Sequence, residues 1–116
     1  MAKPDSLGDF EQLVLLALVR LGQDAYGVSI HKEIVERGGR DVALAAVYKT
    51  LDRLEIKGLA ASSLGEPTSE RGGRRKKFFR IQPAGRRALK HALGSLRRMA
   101  QGLPADLELD LAADES

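Results

Sequence analysis

Apolar residues recur along this chain first with a helical period and only briefly with a period of two. That change marks out its elements. From Phe10 to Leu21, the residues Phe10, Leu13, Val14, Ala17, Leu18 and Leu21 share one face of a helix, and Leu15, Leu16 and Val19 lie around the other side. A helix apolar on nearly all sides must be buried on nearly all sides. In so small a protein this predicts packing both on its own core and on a second subunit; core burial alone is the other reading. Asp9 is the candidate cap, Glu11 suits the positive helix end, and Gly22 ends the helix. Met1 to Gly8 reads as a disordered lead-in. A second helix is predicted from about Tyr26 to Arg37, with Tyr26, Ile30 and Ile34 spaced four apart and Asp24 as candidate cap. Gly27 suits a close helix crossing, and Glu33 and Arg37 form an i, i+4 pair.

Gly38, Gly39 and Arg40 turn the chain into a third helix within Val42 to Leu59, which Asp41 could cap. Its buried stripe is predicted at Leu44, Val47, Leu51 and Leu54. Gly58 supplies the left-handed stop, and Leu59 packs back on the last turn. The opposite face would carry Ala45, Ala46, Tyr48, Lys49, Thr50 and Arg53. Small groups suit contact with thymine methyls and basic ones suit phosphates, so this face could enter a DNA major groove. On the helix alone, a core helix with an ordinary solvated face is the better reading. The segment beyond Gly58 shifts the balance. Leu59 to Leu64 and Lys77 to Gln82 flank a stretch rich in Gly, Pro, Thr, Ser and Arg. In the second run Phe79 and Ile81 point one way, Phe78 and Arg80 the other, as in a half-buried strand. The hairpin so formed has a basic tip, with Arg71, Arg74, Arg75, Lys76 and Lys77 within seven residues and Gly72 and Gly73 between them. Like charges this close repel unless something anionic lies beside them. A helix followed by a hairpin with a cationic tip is the winged helix-turn-helix plan. The fold class is mainly α (α+β), with the winged helix over residues 9–82.

Pro83 fits the first position of a last helix, running to about Gly102. Leu89, Leu93, Leu96, Ala100 and Leu103 are spaced four, three, four and three, a heptad seam flanked by Arg86, Arg87, Lys90, Arg97 and Arg98. It could pack on the first helix of its own chain. With no later helix to cover it, two copies crossing as a homodimer is the better reading, so residues 83–103 form a dimerisation helix. Candidate dimer contacts are Phe10, Leu13, Leu16, Leu89, Leu93, Leu96 and Leu103.

Composition sharpens this picture. The chain of 116 residues suits one core, and with 4% aromatics that core must be Leu, Val, Ile and Ala. The net charge of +3 conceals an asymmetry. Five of the 16 acids (Asp106, Glu108, Asp110, Asp114 and Glu115) lie in the tail from Pro104 to Ser116, which has no base. Residues 1–103 thus hold all 19 bases against 11 acids, a net of +8. A basic body with an acidic, flexible tail points to a polyanionic partner. The absence of cysteine excludes disulfides, thiol nucleophiles and thiolate metal sites. His31 and His91 sit on different predicted helices, Ser62, Ser63 and Ser69 have no neighbouring base, and Gly72-Gly73 lacks the surroundings of a phosphate-binding loop. No enzyme, metal or cofactor is therefore expected. No apolar run is long enough to cross a bilayer, and a cytoplasmic location is expected.

At these residues the chain resembles the PadR-type transcriptional regulators, small dimeric winged-helix proteins that are usually repressors. The matching stretches are Leu13 to Leu21, Tyr26-Gly27, Val47 to Leu54 with Lys57-Gly58-Leu59, Gly72-Gly73-Arg74 through Phe78-Phe79-Arg80, and Pro83-Ala84-Gly85. They span about residues 7–103 and look most like the short members with one C-terminal helix. The resemblance implies that Ala43 to Lys57 enters the major groove, with Tyr48 and Lys49 contacting DNA beside Ala45 and Ala46. It also implies that Arg53, Arg74, Arg75 and Lys76 meet phosphates, with Arg71 of the basic tip a further DNA-binding candidate, and that dimers pair through the first and last helices. Where the family often has Ser and Gly, this chain has Ala43 and Ala45. It has Phe78-Phe79 in place of a Tyr pair and Gln82 in place of a Thr cap. It lacks the tryptophan on which some members stack flat aromatic ligands, so that mode of sensing is not implied. The expected function is that of a homodimeric regulator, a repressor, binding double-stranded DNA at a pseudo-palindromic operator. A small-molecule effector is left open. The alternative is a winged-helix module whose basic wing binds an acidic protein.

Overall fold

The computed structural model describes residues 7–67 and 75–107. The expected lead-in over residues 1–6, the wing-tip cations Arg71 and Arg74, and the tail residues 108–116 lie outside the described residues. Helix α1 (Asp9–Leu21) is followed by a 3-10 turn (Gly22–Asp24), then by α2 (Gly27–Glu36) and α3 (Leu44–Ile56). Strands β1 (Ala60–Pro67) and β2 (Arg75–Ile81) form the hairpin, and α4 (Pro83–Ala100) and a 3-10 turn (Ala105–Leu107) complete the described chain. This mainly helical arrangement with one small antiparallel sheet is the expected winged helix-turn-helix.

The helices form where the apolar period places them, and α4 opens at Pro83 as expected, but the N-termini of the first three are closed by other residues than those expected. Asp9 is already inside α1, whose cap is Gly8; the buried carboxylate of Glu11 reaches back to accept the Gly8 N–H at 2.9 Å. At α2 the cap is Tyr26, not Asp24, and the Ser29 hydroxyl accepts the Tyr26 N–H at 2.9 Å. In α3 the cap is Ala43, with no side-chain bond, rather than Asp41. In α1 and α2, residues at the third helical position have captured the cap amide, as the reciprocal half of a capping box does. The lead-in is also more ordered than expected at its end, since Leu7 packs against the core.

The core gathers Val14, Leu15 and Leu18 of α1, Ile30 and Ile34 of α2, Val47, Leu51 and Leu54 of α3, then Leu59, Phe79 and Leu89. Two expectations for α3 reverse. Leu44 is 36% exposed and Thr50 is 4% exposed. The helix begins at Leu44, so that residue lies in a first turn beyond the edge of the core. The buried set is instead Val47, Thr50, Leu51 and Leu54, the i, i+3, i+4, i+7 positions of one face. After α3 the chain stops as predicted: Gly58 has φ +77°, and the Leu59 N–H donates to the Leu54 carbonyl at 2.9 Å.

Both strands run further than the sequence indicates. They pair Ala60 with Ile81 and Ser62 with Phe79, and a bulge falls between Leu64 and Pro67. Phe79 is buried and Arg80 exposed, as the alternation requires. A third partner was not foreseen. Tyr26 bridges to Phe78, and the Phe79 N–H donates to the Ala25 carbonyl at 2.8 Å, so the segment entering α2 lies along β2.

Surface ion pairs lock the helices together at little energetic gain each. Glu33 accepts from Arg20 of α1 at 3.1 Å and from Arg37 at 2.9 Å, and Arg40 pairs with Asp9. The pair from Lys57 to Glu11, at 2.8 Å, is different in kind, because the Glu11 side chain is only 6% exposed. Burial pushes the Glu11 carboxyl up. The Lys57 ammonium, the Gly8 amide and the Arg53 charge outweigh burial and leave it below its ordinary value. Among the described residues no helix is long and apolar enough to cross a membrane.

Candidate nucleic-acid interface

The opposite face of α3 is uncommitted. Ala45, Tyr48, Lys49, Asp52 and Arg53 are exposed, and Ala46 is half-buried beside them. Thr50 is withdrawn into the core and drops out of this surface. Asp52, which the helical spacing also turns to solvent, adds a carboxylate to it, and Ile56 continues it as an 86% exposed side chain. The position of α3 is fixed from behind by its core face and from both ends. At the start, the His31 Nε2–H donates to the Val42 carbonyl at 2.8 Å. At the end, Lys57 is held by Glu11.

The wing is fixed to α3 by one carboxylate. Glu55 accepts the Ser62 hydroxyl of β1 at 2.7 Å and faces Lys77 of β2 at 3.8 Å. Lys77 therefore serves the structure, although the sequence grouped it with the tip cations. Arg75 and Lys76 are exposed farther out on β2. Lys76 Nζ stands 4.3 Å from the centre of the Tyr26 ring, and Phe78 meets the same ring edge-on at 5.6 Å. The neighbouring Gly27 faces Tyr48: a Cβ there would overlap the Tyr48 hydroxyl and lie 2.6 Å from its Cε1. Tyr48 of α3 and Lys76 of the wing thus converge on the first residues of α2, so the helix face and the wing cations form one surface. Among the described residues, Lys49, Arg53, Arg75 and Lys76 have no carboxylate within ion-pair distance. A concentration of unneutralised cations on one surface attracts a polyanion.

A second surface lies on α4. Its first half packs against the body, with Gly85, Ala88 and Leu89 buried. Beyond that the seam emerges, with Leu93 39%, Leu96 54%, Met99 79% and Leu103 39% exposed. Leu89, expected on the same seam, is spent in its own core and supplies only the floor of an open groove of about 700 Å³ between α1 and α4. Leu16 and Val19 form its α1 wall. Phe10 and Leu13 are half-buried on α1. Met99 extends the seam beyond the leucines whose spacing marked it in the sequence.

The sequence model of the Transcriptional regulator PadR-like family matches residues 15–91, about two-thirds of the chain, from the middle of α1 into α4. The chain belongs to this PadR-like family. The family is one of transcriptional regulators. Solved structures agree. A PadR family transcriptional regulator from Eggerthella lenta is 27% identical, with a TM-score of 0.62 over 78% of this chain and 77% of that one. The complex structure of hsRosR-S4 is 25% identical, with a TM-score of 0.63 over 90% of this chain and 82% of that one. A PadR family regulator from Clostridium difficile, 22% identical, shares the fold at a TM-score of 0.65 over 78% and 90% of the two chains. No curated protein matches the sequence.

Proposed function

We propose that this PadR-like regulator is a cytoplasmic homodimer that represses transcription by binding a pseudo-palindromic operator. The observation that carries the reading is the shared surface of α3 and the wing, where Lys49, Arg53, Arg75 and Lys76 have no carboxylate within ion-pair distance among the described residues. In this reading α3 lies in the major groove, with Ala45, Ala46, Tyr48 and Lys49 toward base edges and Arg53 toward phosphate. Arg75 and Lys76 of the wing, together with Arg71 and Arg74 from its tip, take backbone phosphates. The phosphate contacts supply most of the affinity and the base edges the selectivity.

The dimer is supported by the apolar seam that α4 leaves open. Leu93, Leu96 and Leu103 of one copy would seat on Phe10, Leu13 and Leu16 of α1 in the other, and the groove floored by Leu89 would be filled. A two-fold axis would then present two α3 helices at successive major grooves, about one helical turn apart. Repression is the mode that the resemblance to the PadR-type regulators implies.

The reading is tested by titrating the protein into the DNA upstream of its own coding region and into a scrambled duplex, at two salt concentrations. The expected result is saturation at one dimer per site, a preference for the upstream duplex, and an affinity that falls steeply with salt. No binding to either duplex at low salt would reject it and turn the search to an acidic protein partner.

A further inference from the structure

We propose that Tyr26 and Gly27, the two residues that open α2, are positioning residues for DNA contact. Tyr26 holds the Lys76 ammonium, and Gly27 sets where the Tyr48 phenol stands. The inference rests on the DNA-binding reading above and deepens it.

Lys76 and Lys77 are neighbours on β2 and each ammonium lies near an aromatic ring, but only Lys77 also faces a carboxylate. Lys77 faces the Glu55 carboxylate at 3.8 Å, which offsets part of its charge, and its Nζ stands 5.5 Å from the centre of the Phe79 ring. Lys76 instead stands 4.3 Å from the Tyr26 ring centre. An aromatic face attracts an ammonium without neutralising it. A held but unneutralised lysine is what a phosphate contact requires, since ordering is done before binding and the charge is still available. Tyr26 is itself fixed. Its backbone bridges to Phe78, its N–H is held by Ser29, and the Phe78 ring packs against its ring in a T-shaped arrangement. The stack Phe78–Tyr26–Lys76 therefore transmits the rigidity of the sheet to a charged group at its surface.

Gly27 acts on the other contact. The Tyr48 ring occupies the space that any Cβ at residue 27 would need. Tyr48 is 42% exposed, so an added methyl would turn the ring aside rather than break the core. Alanine also suits a helix better than glycine. The fold survives such a change while the aromatic group on the face of α3 moves. One dipeptide thereby sets the relative placement of a helix contact and a wing contact, which is what fixes their register on a duplex.

The test uses the full chain and the best duplex selected from a random pool. Thermal unfolding and the proton shift of the Lys76 ε-methylene are recorded beside affinity. In the free protein that methylene should resonate upfield, from the Tyr26 ring current, and should lose the shift in Tyr26→Leu but not in Tyr26→Phe. Tyr26→Leu should weaken binding about two- to fivefold, Tyr26→Phe should not, and Tyr26→Leu should add nothing once Lys76→Ala is present. Gly27→Ala should unfold no earlier than wild type and should change base preference as Tyr48→Ala does, with no further change in the double variant. Multiplicative losses for Tyr26→Leu and Lys76→Ala, an unshifted Lys76 methylene, or an unaltered preference in Gly27→Ala would each overturn the positioning role while leaving DNA binding intact. If the wild type selects and binds no duplex, the DNA reading itself falls, and the positioning role falls with it.

Discussion

Replacing Glu11 by glutamine removes one charge from the link between α1 and the end of α3, and the structure fixes what that should cost. The Glu11 side chain is 6% exposed and accepts both Lys57 Nζ, at 2.8 Å, and the Gly8 N–H, at 2.9 Å. Glutamine retains an oxygen for the Gly8 amide, so the loss is confined to the ion pair. Breaking a fully buried pair costs about 3–5 kcal/mol because the surviving charge is stranded, whereas exposed pairs contribute about 0–1 kcal/mol. Lys57 is 32% exposed and can rehydrate. The expected cost is therefore intermediate, about 1–2 kcal/mol, or a fall in Tm of about 3–8 °C for a chain of this size. The pH dependence has a definite sign. The folded Glu11 pKa lies below its ordinary value of 4.5, so its contribution is complete above that unfolded value and is lost as pH falls through the folded one. Circular dichroism melts at about pH 7 and about pH 3.5, on either side of that unfolded value and at one fixed protein concentration, should show the gap between wild type and Glu11→Gln narrowing at the lower pH. A gap that is absent at neutral pH, or identical under both conditions, would refute the assignment.

Other expectations concern the proposed DNA-binding surface, the α4 seam and the core. Changing Arg75 and Lys76 together to alanine should weaken binding to every duplex and lower the salt slope by about 2, read from titrations at several salt concentrations. Lys49→Ala should instead relax preference at one base position, by about 1–3 kcal/mol in competition between duplexes. Leu96→Glu, on the exposed α4 seam, should yield a monomer in sedimentation. Leu89→Ala, in the core, should lower stability by about 2–5 kcal/mol in denaturant titration.

What could be read in the sequence is what depends on local period and on single backbone-determining residues. The apolar spacing placed four helices. Gly22 and Gly58, both at positive φ, ended two of them, Pro83 opened the last, and the alternation around Phe79 gave the strand. What could not be read depends on contacts distant in sequence or on which of two neighbours wins an amide. Asp9 and Asp24 looked like caps by type, yet Glu11 and Ser29 reach back from within the helices. The pairing of Tyr26 with Phe78 joins segments far apart in the chain and leaves no trace in either one alone. The division of labour between Lys76 and Lys77 likewise depends on Tyr26 and Glu55, which no count of wing charges could supply. Thr50 shows the limit of reasoning by residue type. A hydroxyl suggested the exposed face, but the i, i+3 relation to Val47 puts it inside.

The central claim is that two α3–wing surfaces related by a two-fold axis read one DNA site. Selection of duplexes from a random pool tests it most directly. The account predicts enrichment of an inverted repeat whose half-sites lie about one helical turn apart, bound by one dimer. Enrichment of no motif, or of a single unrepeated element bound by one copy, would contradict it.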